Sequence, residues 1–197
     1  MNSRQPQPMR FTREDYHKIS ELGLFDPNKH VELIFGEIIQ MSPKGVAHET
    51  CLRTLLRQLF TILPESFVIG CQSPVAIGES SEPEPDVSIA SGCEADYADR
   101  HPTGHDILLA MEVSDSTLRF DKTTKASLYA EANIPNYWIF NLVESCLEVY
   151  RFPARKDDGT WHYQEIQIYS PSDQIALPFM KESDGQPKML DLSKIPM

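Results

Sequence analysis

Two short apolar runs in this chain each carry a carboxylate, and that pairing restricts what the chain can fold into. The first run follows a rigid approach, Pro83-Glu84-Pro85, and reads Asp86, Val87, Ser88, Ile89. The second is Ile107 to Val113, with Glu112 near its end. Both read as strands: short, β-branched or apolar, and bounded by Pro, Gly and Asp. The two prolines fix φ and remove donors, so the first strand must start near Asp86. An acid in or at the mouth of a buried strand is costly unless it is paired or binds a cation.

Asp121, nine residues past Glu112, reads as a helix N-cap. The helix it opens carries Lys122, Lys125 and Tyr129. Lys125 and Tyr129 are four apart and share a face, with Lys122 one turn earlier. The expected picture is two acids at neighbouring strand ends with an ammonium close by. Mg²⁺ takes oxygen ligands, often one or two carboxylates, and keeps several waters. Such an ion polarises a phosphoryl oxygen and acidifies a bound water. A nearby lysine can hold that water or neutralise charge developing on a phosphate.

The order of motifs is more specific than the acids alone. VELIFGEIIQMSP (Val31 to Pro43) comes first, then His48 opening a helix, then PDVSIA and MEVSDST. Asp121, Lys125, Tyr129, IPNYWIFN and the strand LEVYR follow. From about Thr12 to Phe152 this resembles the Uma-type restriction endonucleases within the PD-(D/E)XK nuclease superfamily.

That resemblance implies an α/β, α+β-leaning fold: a restriction-endonuclease-like mixed sheet flanked by helices, with an N-terminal helix and hairpin. It implies catalytic roles for Glu32, Asp86, Glu112 and Lys125, with Asp86, Glu112 and Glu32 as metal ligands and Mg²⁺ (or Mn²⁺) as the cofactor. His48, Tyr129, Lys122 and Arg119 are secondary candidates. The superfamily pattern expects its lysine two residues after the Glu, where this chain has Ser114. In the family resembled it lies on the next helix, at the position of Lys125; Lys122 is the alternative. The partner implied is DNA, and a homodimer is a family expectation.

Along the rest of the chain, residues 1–11 read as a flexible arm and 12–197 as one domain. Its core covers about 12–152, and strands and tail occupy 153–197. Thr12 opens a helix over 13–22 that Gly23 ends. Val31 to Phe35, Gly36, and Glu37 to Met41 read as a hairpin. In strand alternation Glu32 shares a face with Ile34; a core-facing opposite side would leave Glu32 exposed, and the resemblance turns it toward the site. Leu52, Leu55, Leu56, Leu59, Phe60 and Leu63 form an apolar stripe on a helix over 46–63. Phe67–Cys71 and Pro74–Ile77 read as strands, and 91–106 as a long polar loop. Strands at 137–141, 146–152 and 161–169 follow, with Ile175–Leu177 and Met189–Leu192 finishing the sheet edge or serving a dimer.

The formal net charge of −11 cuts against a duplex-binding protein, because neutralising phosphates takes basic side chains. Lys44, Arg53, Arg57, Arg119, Lys122 and Lys125 are the candidates for a local basic cleft. No apolar run approaches a membrane span, and the N-terminus lacks a secretory core segment, so a cytoplasmic location is expected. Of the four cysteines none is spaced as CxxC, and three sit in apolar patterns as small buried hydrophobes. The functional expectation is a Mg²⁺-dependent endonuclease acting on DNA. The alternatives are a catalytically silent nuclease-fold binding module and a hydrolase of another phosphate ester.

Overall fold

The computed structural model describes residues 7–180 and 188–197. Residues 1–6 of the expected arm and 181–187 of the tail lie outside the described residues. The centre is a six-stranded sheet in the order β3-β4-β5-β6-β7-β8. Its strands are β3 (Phe67–Cys71), β4 (Val87–Ser91), β5 (Ile107–Ser114), β6 (Asn136–Asn141), β7 (Cys146–Arg155) and β8 (Trp161–Tyr169). All neighbours are antiparallel except β5 and β6. That parallel pair needs a crossover, and a helical segment over 118–131, α3, supplies it. The sheet is therefore mixed and flanked by helices, in the expected fold class.

Strand alternation sorts the sheet into two faces. One carries Val87, Ile89, Leu109, Met111, Val113, Trp138 and Phe140 against Leu52, Leu55 and Leu59 of α2 (Val46–Ile62). The strands β9 (Gln174–Ala176) and β10 (Met189–Asp191) form a separate hairpin that packs into this same core. The tail thus covers α2 instead of finishing the sheet edge. The other face carries Ala90, Ala110, Tyr137, Ile139 and Tyr150 against Leu128 and Tyr129 of α3 and Ile34 of the N-terminal hairpin. Asp86 and Glu112 have the parity of this second face.

Local signals explain the N-terminal part. Thr12 and Asp15 exchange both bonds of a capping box at the start of α1 (Arg13–Glu21). The hairpin β1 (Val31–Ile34) to β2 (Glu37–Gln40) turns through Phe35 and Gly36, both at positive φ, as a two-residue hairpin loop demands. Helix α1 lies against this hairpin and the 78–82 turn: Tyr16 donates to Val31 O, and Arg13 to Gly78 O.

Four expectations change. Pro74–Ile77 forms no strand; isolated bridges Ala76–Thr103 and Ile77–Ser81 and a bond from Val75 N to Pro83 O tie it down, and Pro74 has no N–H to give a ladder. The polar loop 91–106 holds a short 3₁₀ turn, Glu94–Tyr97. Asp121 is not an N-cap: the helix has already begun at Leu118, and Asp121 sits inside it. Cys51 and Cys146 are buried while Cys71 and Cys93 are exposed, so two cysteines, not three, serve as small hydrophobes.

Candidate active site

The register places the two sheet acids side by side. Val87 pairs with Met111 across β4 and β5, so Asp86 lies beside Glu112 on the α3 face. The Val113 N–H donates to Asp86 Oδ2 at 2.9 Å, and the Asp86 N–H points to Glu112 Oε2 at 3.4 Å. Glu32 arrives from β1, and Lys125 from α3.

Helix α3 changes its winding to deliver that lysine. It runs α over Leu118–Phe120, π over Asp121–Lys125, and α again over Ala126–Glu131. A π turn inserts one residue per turn and shifts the faces that follow it. Lys125 and Tyr129, beyond the shift, both donate to Glu112 Oε1, each at 2.9 Å. Lys122 instead donates to Glu148 Oε1 at 3.0 Å. Of the two lysine candidates, Lys125 is the one among the site acids, and Lys122 is committed elsewhere. Arg119 is exposed and lies outside the lining of the cleft, and Tyr129 reaches Glu112 from behind it.

Each acid has an occupied side and an open side. Asp86 Oδ2 is taken by the Val113 N–H and by His48 Nε2 at 2.9 Å. Its Oδ1 accepts from Gln72 Nε2 at 3.2 Å and lies 3.6 Å from Lys44 Nζ. Glu112 Oε1 is taken by Lys125 and Tyr129, leaving Oε2 beside Asp86. Lys125 Nζ lies 3.2 Å from each Glu32 oxygen, yet Glu32 Oε2 has no hydrogen-bond partner. His48 faces a carboxylate through Nε2, which assigns the proton there; its Nδ1 is buried and unpartnered.

Burial sets the electrostatics. Glu32, Asp86, Glu112 and Lys125 are 2, 5, 4 and 1% exposed, so solvent screens them little. Burial pushes the Glu112 carboxyl well up, and neighbouring Asp121, Asp86 and Glu32 add to it against Lys125. Burial works against the Lys125 ammonium, but Glu112, Glu32 and Asp121 outweigh it, and its pKa rises. The ammonium of Lys125 thus sits charged among three carboxylates, Glu32, Glu112 and Asp121. Asp86 and Glu32 are held below the usual carboxylate range despite burial, by His48 and the Val113 N–H for Asp86, and by Lys125 and His30 for Glu32.

The cleft over these groups is lined by six carboxylates (Glu32, Glu84, Asp86, Glu112, Asp115, Asp121) against two ammonium groups, Lys44 and Lys125. Asp121 is accounted for internally, accepting from Ser114 Oγ at 2.7 Å and Thr117 Oγ1 at 2.6 Å. Ser114 thus anchors α3 to the end of β5 through Asp121. The remaining surplus of negative charge, the partnerless Glu32 oxygen, and the open lone pairs of Asp86 Oδ1 and Glu112 Oε2 fit a hard divalent cation. The acids do not form a closed cage: among the described residues, three metal-type donors lie within 4.8 Å of one another only at Glu144, Cys146 and Glu148, at the β6–β7 turn.

Sequence reasoning passed over three contributors. Glu84 lines the cleft because it sits two residues before Asp86 in the same extended approach, and that spacing was the available signal. His30, two before Glu32, lies 3.5 Å from Glu84 and 3.8 Å from Glu32. Gln72 carried no signal; it reaches Asp86 from the end of β3 at positive φ.

Comparison with known proteins follows the same lines. The family model Uma2, described as "Putative restriction endonuclease", matches residues 13–184. A crystal structure described as a "putative nuclease belonging to DUF820" from Anabaena variabilis superposes with a TM-score of 0.68 at 15% identity. The match covers 96% of this chain and 98% of that one, a likeness of fold. No curated protein matches.

Proposed function

Since the chain belongs to the Uma2 family, whose description is "Putative restriction endonuclease", we propose that it is a metal-dependent endonuclease hydrolysing DNA phosphodiester bonds. The observation that carries this reading is the buried Lys125 ammonium, wedged between Glu32 and Glu112 at the floor of an acidic cleft with Asp86 beside them. Asp86 and Glu112 would hold Mg²⁺ or Mn²⁺, with Glu32 as a further ligand. A cation there supplies neutralisation of a phosphoryl oxygen and an acidified water.

The chain's own groups do the rest. Lys125 is held protonated, so it is a donor and not a general base. It orients a water or stabilises charge developing on the phosphate. Tyr129 and His48 each occupy one oxygen of a ligand acid and so aim the other at the cleft. The Lys125 chain is pinned at both carboxylates, so it has little freedom left to lose on reaching the transition state.

One observation favours the silent binding module: every site acid already has protein partners, and among the described residues no three donors of this cleft lie within 4.8 Å of one another. A panel of supercoiled, linear and single-stranded DNA, RNA and small phosphodiesters, with Mg²⁺ or Mn²⁺, separates the readings. We expect DNA cleavage that EDTA abolishes and that Asp86→Asn lacks. Cleavage of small phosphodiesters alone would support the other hydrolase, and no cleavage of any substrate the module.

A further inference from the structure

We propose that Gln72 is a positioning residue: its amide holds Asp86 Oδ1 clear of Lys44 and so keeps that oxygen open to a divalent cation. The role rests on the metal-dependent reading for its ion, and on the following contacts for its place.

Gln72 lies one residue beyond β3 and meets Asp86 twice. Its backbone N–H donates to Asp86 O at 3.2 Å, and its side-chain Nε2 donates to Asp86 Oδ1 at 3.2 Å. It is not among the residues that line the cleft, so it reaches the chemistry only through that acid. Its φ is +50°, in the left-handed region that strains a residue with a Cβ. A glycine would take this φ freely and keep the backbone bond. What glycine would lose is the amide on Oδ1. Phe35, Asn133 and Ser145 also have positive φ, in turns, but none of them bonds to an acid of the cleft.

Competition at Asp86 gives the amide its importance. Oδ2 is already taken by the Val113 N–H and His48. Oδ1 has two neighbours, the Gln72 amide at 3.2 Å and the Lys44 ammonium at 3.6 Å, the second too far for a hydrogen bond. A neutral amide fills one lone pair and leaves the carboxylate's charge and its other lone pair for an ion. An ammonium bonded in its place would neutralise the acid, and an incoming ion would have to displace it. Asp86 is 5% exposed, so little solvent is at hand to replace a lost donor, whereas Lys44 already stands beside Oδ1.

The test is Mn²⁺ titration by calorimetry, with melting curves recorded without metal. Gln72→Gly removes the amide and relieves the backbone. Gln72→Met keeps the length of the side chain but has no donor, and it keeps the strain. Both should lose Mn²⁺ affinity about tenfold. Gln72→Gly should nonetheless melt above Gln72→Met, so affinity does not follow stability. Asn133→Gly, which relieves a positive φ in the turn after α3, is the control and should keep wild-type affinity. A residue that only shaped the turn would leave the ion's affinity alone, so wild-type affinity in either Gln72 variant overturns the assignment. If the wild type binds no Mn²⁺, the metal-dependent reading fails by itself, and metal-free crystal structures judge Gln72. The Asp86 carboxyl of Gln72→Gly should turn to bring Oδ1 within hydrogen-bond range of Lys44 Nζ. A carboxyl that stays as in the wild type refutes the positioning role.

Discussion

Lys125 Nζ sits 2.9 Å from Glu112 Oε1 with both side chains out of solvent, in a pair that joins α3 to the centre of the sheet. Removing one partner of such a pair leaves an uncompensated buried charge. Lys125→Met is therefore expected to cost about 3–5 kcal/mol of stability, because Glu32 and Glu112 lose their shared cation. Denaturant unfolding measures this. Lys122→Met should cost less, because its ammonium is 37% exposed and Glu148 keeps Asn141 and Tyr150 as donors. Equal losses would contradict the buried geometry.

Tyr129→Phe removes only the hydroxyl that donates to Glu112 Oε1 at 2.9 Å. The ring keeps its packing against Tyr137. A loss of about 1.5–3 kcal/mol is expected, the scale of a hydrogen bond to a charged group. Glu112 stays paired with Lys125, so cleavage should fall without vanishing. Activity unchanged at equal protein concentration would show that Tyr129 does not aim Glu112.

Asp86→Asn keeps the shape and swaps a charged acceptor for an amide. Mn²⁺ should raise the melting temperature of the wild type, since a ligand that binds the native state stabilises it. The variant should show little shift. An identical shift in both would place the ion elsewhere, with Glu144, Cys146 and Glu148 the first alternative to test.

The Arg100 guanidinium at 2.8 Å, helped by Thr103, lowers the Asp106 carboxyl to about 2. A pKa lower in the folded chain than in the unfolded chain means stability present above the unfolded value, 3.8, and lost as pH falls toward about 2. Because Arg100 is exposed, screening reduces the contribution to about 1 kcal/mol. Denaturant unfolding of the wild type and Asp106→Asn should differ at pH 6 and converge as pH falls below 4. A gap that widens on acidification would contradict this.

Much of the frame was legible because it is local. Thr12 and Asp15 announced a capping box, Gly36 a hairpin turn, and the leucines of 52–63 a helix with one buried face. Pro83 and Pro85 announced where β4 begins. Pro74–Ile77 misled because its apolar residues imitate a strand, while its backbone bonds are divided between residues 81–83 and 102–104 and form no regular ladder. Asp121 misled because an N-cap and an Asp inside the helix, bonded to Ser114 and Thr117, look alike in one dimension.

Periodicity and turn chemistry act over a few residues, so the order of elements, the faces of each strand and the candidate acids could be read from residue types alone. Which groups meet could not. Glu32 and Lys125 are 93 positions apart, and their contact exists only once β1, the sheet and α3 are packed. The π turn at Asp121–Lys125 has no signature in composition, yet it sends Lys125 to Glu112 and leaves Lys122 for Glu148. A buried ion pair is decided by three-dimensional packing, because only burial makes its partner obligatory.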